Sequence, residues 1–354
     1  MKAAVYYKSG DIRIEERSNP FARDDNLIIK VKCCAICGTD LKIFTFGSPR
    51  IKPPRIIGHE FSGEIVHVGL WVKDFKIGDR VTLATTLSCG VCDYCKIGLG
   101  NLCPNSKPIS LEYDGAFAEY LSIPPIAIDN GNVIKIPNSL DYESAAISEP
   151  LSCAINAQGI AGVKAGDNIV IVGGGPLGAI HAELAKATGA NKVIIVDICE
   201  ERLKLLKKFR DITLVNSLDE DVYLKVTEET NGMGADVVIV CAPNKDAMEN
   251  SLCLVRKGGC ISLFASIAED KKMICVDSRR IHYGELRIVG SSDSRVEHVL
   301  KAVKLLSEGK IDTKAIITHK IYLEDIFMGF DLMRNRDSLK VLVFPKEIKD
   351  ENEQ

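Results

Sequence analysis

The chain has 354 residues, 46% hydrophobic and 26% charged, which is material for a sizeable core and excludes a disordered or fibrous protein. Its length exceeds the roughly 250–300 residues at which a single core stops growing, so two domains are expected. With 45 Lys plus Arg against 48 Asp plus Glu, the net charge of -3 provides no basic field of the kind that recruits nucleic acid.

The first residues, MKAAVYYKSGDIRIEER, reach charge again at Lys8, too soon for a signal peptide, and the most apolar long stretch, Ala145 to Val163, is interrupted by Glu149, Asn156 and Gln158. A cytoplasmic protein with no membrane partner is expected. Thirteen cysteines in that setting point to metal ligands and buried thiols rather than to disulfides.

Up to about residue 145 the text is short, β-branched and punctuated by Gly and Pro: KAAVYY, DIRIEE, NLIIKVKCCAI, EFSGEIVHVG, DRVTLAT and AFAEYLSI read as strands. From about residue 165 strands alternate with helical patterns: NIVIVG, PLGAIHAELAKATGA, KVIIVD, CEERLKLLKKF, an amphipathic stretch near Asp219 to Thr230, ADVVIVC, a helix near Asn244 to Val255, CISLFAS and LRIVG. This alternation predicts an α/β unit with a doubly wound parallel sheet. EHVLKAVKLLSEG then reads as a helix, ITHKIYL as a strand, EDIFMGFDLMRN as a helix and KVLVF as a last strand, the group being expected to rejoin the first half. KEIKDENEQ is expected to be a solvated tail.

GGGPLG satisfies G-x-G-x-x-G through Gly173, Gly175 and Gly178, with Pro176 and Leu177 opening the following helix. Three glycines alone say little; placed between the strand NIVIV and a helix, they form a pyrophosphate cradle of backbone amides. Asp197 ends the next strand, where a carboxylate accepts the ribose hydroxyls of NAD and repels the 2'-phosphate of NADP. Arg202 stands near enough in sequence to reach the adenosine, and equally reads as an exposed helical arginine.

Cys89, Cys92, Cys95 and Cys103 have the spacing C-x2-C-x2-C-x7-C, which suits four thiolates on one structural zinc with no open position. Cys37 in CGTD, with His59 and Glu60 in GHEF, offers one sulfur, one nitrogen and one oxygen, the mixture of a metal site that keeps a position for substrate. Singly, each is more often a packed residue than a ligand.

Taken in order, CGTD, GHEFSGEIVHVG, GDRVT, the cysteine lobe, DGAFAEY, EPLSCAINA and GGGPLG resemble the zinc-dependent medium-chain dehydrogenases over nearly the whole chain. The resemblance implies a GroES-like β-barrel catalytic domain, residues 1–149 and 292–354, with a structural zinc lobe near 88–104, and a Rossmann NAD-binding domain, residues 150–291. EPLSCAINA is similar to the polyol (sorbitol or L-iditol type) dehydrogenase branch. That likeness implies a catalytic zinc on Cys37, His59 and Glu60, with Glu149 entering directly or through water and Cys153 a possible competitor. It further implies oxidation of a secondary hydroxyl to the ketone with hydride transfer to NAD. Thr39 resembles the family's proton-accepting hydroxyl, while Lys42 stands where many relatives have the relay's outer histidine.

Asp293 and Arg295, in GSSDSR, fall near a position at which sorbitol-oxidising relatives often carry arginine; Phe44, Phe46 and Glu112 are further pocket candidates by the same analogy. A threonine, sugar-alcohol-phosphate or aldose dehydrogenase is the alternative within the family, and a phosphate would want basic residues, supplied only by Arg50, Lys52 and Arg55. A nicotinamide-binding sensor or a zinc-ribbon interaction module is the non-enzyme alternative. The resemblance also implies a homodimer or homotetramer, with CISLFAS a candidate edge strand for pairing between subunits.

Overall fold

A computed structural model describes residues 1–345; the stretch KEIKDENEQ, expected to be a solvated tail, lies outside the described residues. The first half is strand-rich, as its β-branched runs predict: β1 (Lys2–Lys8), β2 (Asp11–Glu16), β3 (Leu27–Ala35), β4 (Arg55–Ile56), β5 (Glu60–Val68), β6 (Arg80–Leu83), β7 (Tyr120–Ile123) and β8 (Val133–Lys135). β1 pairs antiparallel with β2 and β4. β3 pairs antiparallel with β5 and β7, and the ladder continues through β6 to β8.

Between β3 and β4 the chain forms α1 (Gly38–Phe46), which the sequence reading did not anticipate. Only Asp40 and Ile43 of that helix are buried, so it lacks the apolar stripe by which helices are recognised.

The second unit is a six-stranded, wholly parallel sheet built from β9 (Asn168–Val172), β10 (Lys192–Asp197), β11 (Thr213–Asn216), β12 (Ala235–Val240), β13 (Val255–Leu263) and β14 (Arg287–Gly290). Its order, β11-β10-β9-β12-β13-β14, is that of a doubly wound nucleotide-binding sheet, with the switch in direction between β9 and β12. CISLFAS was expected at the sheet edge; it forms the end of β13, which lies between β12 and β14, so β14 is the edge. Sequence could not reveal this, because the order of strands in a sheet is set by their pairing and not by the residues of any one strand.

The last elements, β15 (Ile317–Tyr322) and β16 (Lys340–Phe344), return to the first unit as expected, β16 pairing antiparallel with β3. The helix Ile326–Arg334 between them puts Phe330 into the core of Leu27, Ile29, Phe61, Ile65 and Phe117. Burying one such aromatic ring contributes about 1.5–3 kcal/mol. A second core runs without interruption from Cys33, Ala35 and Leu342 through Leu151 and Ala154 to Ile169 and Ile171. The helix Ser148–Ala161 supplies its middle part, and so sits between the two sheets. No helix among the described residues is long and apolar enough to cross a membrane.

Candidate active site and metal centres

The nucleotide cradle has the geometry its glycines require. Gly173 adopts φ +110°, and an added Cβ there would stand 2.9 Å from the backbone nitrogen of Ala242. A Cβ on Gly178 would lie 2.0 Å from the Gly173 carbonyl oxygen, so any side chain forces the loop off the helix Pro176–Thr188. Gly175 caps that helix and Pro176 occupies its first turn, where the missing N–H costs nothing. Asp197 is buried at the end of β10, and its carboxylate accepts N–H bonds from Gly174 (2.6 Å) and Cys199 (2.8 Å). The half-buried Arg202 brings its guanidinium to 3.6 Å from the space beside Gly175. Gly178→Ala should weaken NADH binding at least about tenfold, or 1.4 kcal/mol, by calorimetry, with far-UV circular dichroism retained; unchanged affinity would remove the loop from the nucleotide site.

Cys89, Cys92, Cys95 and Cys103 converge as the spacing requires. Their sulfurs are separated by 4.0 Å (Cys89 to Cys95), 3.5 Å (Cys92 to Cys95) and 3.7 Å (Cys92 to Cys103). Tetrahedral zinc with Zn–S near 2.3 Å demands sulfurs about 3.8 Å apart, so these residues fit a closed zinc site. The backbone amides of Val91 and Cys92 lower the Cys89 pKa to about 6, which favours the thiolate ligand. Among the four-cysteine segment's apolar side chains, Val91, Tyr94, Ile97 and Leu102 face solvent.

The second centre is assembled from distant parts of the chain. Ligand atoms of Cys37, His59 and Glu60 all lie within 4.8 Å of one another, as do those of Glu149, Cys153 and Asp293. Cys37 precedes the first turn of α1, and its N–H donates to Asp40 Oδ2 at 2.9 Å. The fully buried Asp40 places Oδ1 3.6 Å from His59 Nδ1. This is an ion-pair distance rather than a hydrogen bond, and the Ser110 hydroxyl lies 3.5 Å from the same ring nitrogen. Glu60, at the start of β5, is buried against Lys340 Nζ, 2.6 Å from Oε1 and in still closer contact with Oε2.

The electrostatics call for a cation. Burial alone would lower the pKa of His59, yet Asp40 and Cys37 hold it well above the ordinary value. Burial likewise opposes the charge on Lys340, but Glu60 and Cys37 more than restore it. Burial pushes the Glu149 carboxyl up to about 7, with Glu60 and Asp293 adding to the rise and His59 and Lys340 opposing it. Acidic groups thus outnumber cationic ones around a converging S, N and O donor set, and this set fits zinc.

Sequence reasoning named Cys37, His59, Glu60 and Glu149 and missed two supporting residues. Asp40 was legible only as part of CGTD. Lys340 carried no signal, since it stands in an otherwise apolar strand 280 positions from its partner. The remaining candidates are dispersed. Thr39 and Lys42 are exposed on α1, Phe44 stacks on Phe330 at 5.1 Å, Phe46 and Glu112 face solvent, and Arg55 pairs with Asp114 at 3.3 Å while Arg50 and Lys52 are exposed. Of the cysteines in apolar, strand-like settings, Cys33, Cys34 and Cys260 are buried thiols and Cys241 is half-buried.

Two family models match the chain: the alcohol dehydrogenase GroES-like domain over residues 23–138, and the zinc-binding dehydrogenase domain over residues 176–308. The chain is 34% identical over 355 residues to the sorbitol dehydrogenase of Bacillus subtilis, covering 98% of this chain and 97% of that protein. It is 36% identical over 333 residues to the D-arabitol-phosphate dehydrogenase of Enterococcus avium, covering 92% of each. In three dimensions it resembles the 2R,3R-butanediol dehydrogenase of Bacillus subtilis, with a TM-score of 0.89 and 29% identity over 98% of this chain and 99% of that one. The chain therefore belongs to the zinc-binding, medium-chain alcohol dehydrogenase family. It is an enzyme of the oxidoreductase class, with a GroES-like unit beside a Rossmann sheet, as the sequence motifs implied.

Proposed function

We propose that the protein oxidises a secondary hydroxyl of a polyol or sugar-type substrate to the ketone and passes the hydride to NAD. The observation that supports this most is the convergence of Cys37, His59 and Glu60 opposite Glu149, on the helix that joins the antiparallel unit to the parallel sheet. Cys37, His59, Glu60 and Glu149 would hold the catalytic zinc, and the four lobe cysteines the structural one. Bound there, zinc supplies the Lewis acidity that lets a hydroxyl lose its proton near neutral pH.

The chain's own groups do the rest. Asp40 sets a carboxylate beside the His59 ring. Lys340 lies against Glu60 and supplies the counter-charge to this buried carboxylate. Thr39, exposed two residues beyond Cys37, takes the substrate proton at Oγ1 and hands it to solvent, so no histidine is needed at Lys42. Gly173, Gly175, Pro176, Leu177 and Gly178 form the pyrophosphate cradle and Arg202 contacts the adenosine side. Asp197 favours NAD over NADP, since a 2'-phosphate would meet its carboxylate.

The division into residues 1–149 with 292–354 and residues 150–291 fits this reading, with the helix Ser148–Ala161 carrying Glu149 at the junction. The same reading includes a cytoplasmic homodimer or homotetramer, for which β14, whose outer edge is unpaired among the described residues, replaces β13 as the strand available to a second copy.

The test is NAD reduction by zinc-loaded enzyme against polyols, threonine, aldoses and sugar-alcohol phosphates, repeated with NADP. A polyol should be preferred, with NAD. Turnover of threonine alone, or no turnover while NAD binds, would overturn the substrate class.

A further inference from the structure

Resting on the reading of this site as a polyol-oxidising centre, we propose that Asp293 sets the charge class of the substrate: it receives uncharged hydroxylated molecules and turns away phosphate esters. Asp293 lies just beyond β14 in a left-handed conformation, φ +58°, uncommon for a non-glycine residue though tolerated by aspartate, and held here by its surroundings. Three contacts do so. Asn156 Nδ2 donates to the Asp293 carbonyl oxygen at 2.8 Å, the Thr86 hydroxyl donates to Oδ2 in a short bond, and the N–H of Ser294 donates to Oδ1 at 2.7 Å. Asn101 Nδ2 holds the preceding carbonyl, that of Ser292, at 2.9 Å. The result is a half-buried carboxylate whose oxygen stands within 4.8 Å of ligand atoms of Glu149 and Cys153.

No basic side chain offsets it. Arg295, the nearest in sequence, is turned away to Glu297 at 2.6 Å and to the ring of His298 at 3.2 Å. Among the described residues no Lys or Arg forms an ion pair with Asp293 or with Glu149. The carboxyl groups gathered here are Asp40, Glu60, Glu149 and Asp293, and the basic groups that face them are His59, beside Asp40, and Lys340, against Glu60. Lys340 is committed to Glu60 and forms no ion pair with Asp293.

A polyol hydroxyl donates to the free lone pairs of Asp293; a phosphate has acceptors and charge where the site offers acceptors and charge.

The experiment compares D-arabitol with its phosphate ester as substrates of the zinc-loaded holoenzyme. Wild type should prefer arabitol. Asp293→Asn, which keeps the shape and the Thr86 contact, should shift the ratio of kcat/KM towards the ester by about tenfold or more, chiefly through KM. Asp293→Glu, which keeps the charge, should retain the wild-type preference. A structural role would lower both substrates together. On the wild type alone, inhibition of arabitol oxidation by the ester should be weak and should strengthen as added salt screens the repulsion, which decides the matter should the variants not fold.

A preference for polyols that Asp293→Asn leaves unmoved, or inhibition that salt does not strengthen, overturns the role of Asp293 and leaves the polyol reading intact. Turnover of phosphate esters alone overturns both. If neither compound is oxidised the polyol reading falls, and calorimetric binding of the two compounds to the NADH complex then decides Asp293: stronger binding of arabitol supports it, equal or stronger binding of the ester overturns it.

Discussion

Cys37→Ser should reduce kcat/KM by about a thousandfold or more, because the loss of several kcal/mol of electrophilic stabilisation converts at tenfold per 1.36 kcal/mol. NADH affinity should be unchanged, since the glycine cradle belongs to a different sheet. The comparison that gives this result meaning is Cys103→Ser. Cys103 is buried, only 4% exposed, and completes the lobe's sulfur cluster. Its loss should release one zinc per chain by elemental analysis and lower the thermal transition, while the enzyme that remains folded keeps a Cys37-dependent turnover. Undiminished turnover by the Cys37 variant would remove that residue from the catalytic centre.

Lys340→Met should destabilise the protein by about 3–5 kcal/mol, because it leaves a buried carboxylate without its counter-charge. Lys340 and Glu60 are 2% and 1% exposed, so water cannot replace the lost partner. Combining Lys340→Met with Glu60→Gln should recover part of that loss, since the uncompensated charge is then gone; the double-mutant cycle in urea gives the coupling. Additive losses, or a single-variant cost below about 1 kcal/mol, would show that the pair behaves like an exposed salt bridge. Activity of the Lys340 variant should fall as well, because Glu60 lies beside Cys37 and His59.

Local chemistry made much of this protein legible. The glycines at 173, 175 and 178 could be read because phosphate cradling needs backbone without side chains at fixed spacing, and the distance of 2.0 Å facing a Cβ at Gly178 is the spatial form of that rule. The cysteine lobe was readable because all four ligands lie within fifteen residues, close enough that spacing alone defines a metal cage. Alternating strand and helix periods gave the parallel sheet, since burial on both faces imposes near-continuous apolar strands. Cys37, His59 and Glu60 were legible only as a mixed sulfur, nitrogen and oxygen donor set split between two segments, and Glu149 emerged from resemblance alone.

Tertiary structure decided what depends on meetings between distant segments. That β13 is interior and β14 the edge follows from pairing, which periodicity does not encode. The helix α1 exists because its Asp40 and Ile43 are buried against other elements, not because its sequence declares an apolar face. Lys340 reads as an interruption in an apolar strand until β16 joins β3 and delivers its ammonium to Glu60. Asp293 and Arg295 are neighbours of opposite charge in GSSDSR, and sequence offers no choice between them. Only the backbone at Asp293, turned by φ +58° and held by Asn156 and Thr86, sends the acid towards Glu149 and the base out to Glu297. Residue types therefore determined which chemistry was available, and the packing of segments remote in sequence determined which of those groups share a site, because charge and coordination act through distances that the chain fixes only when folded.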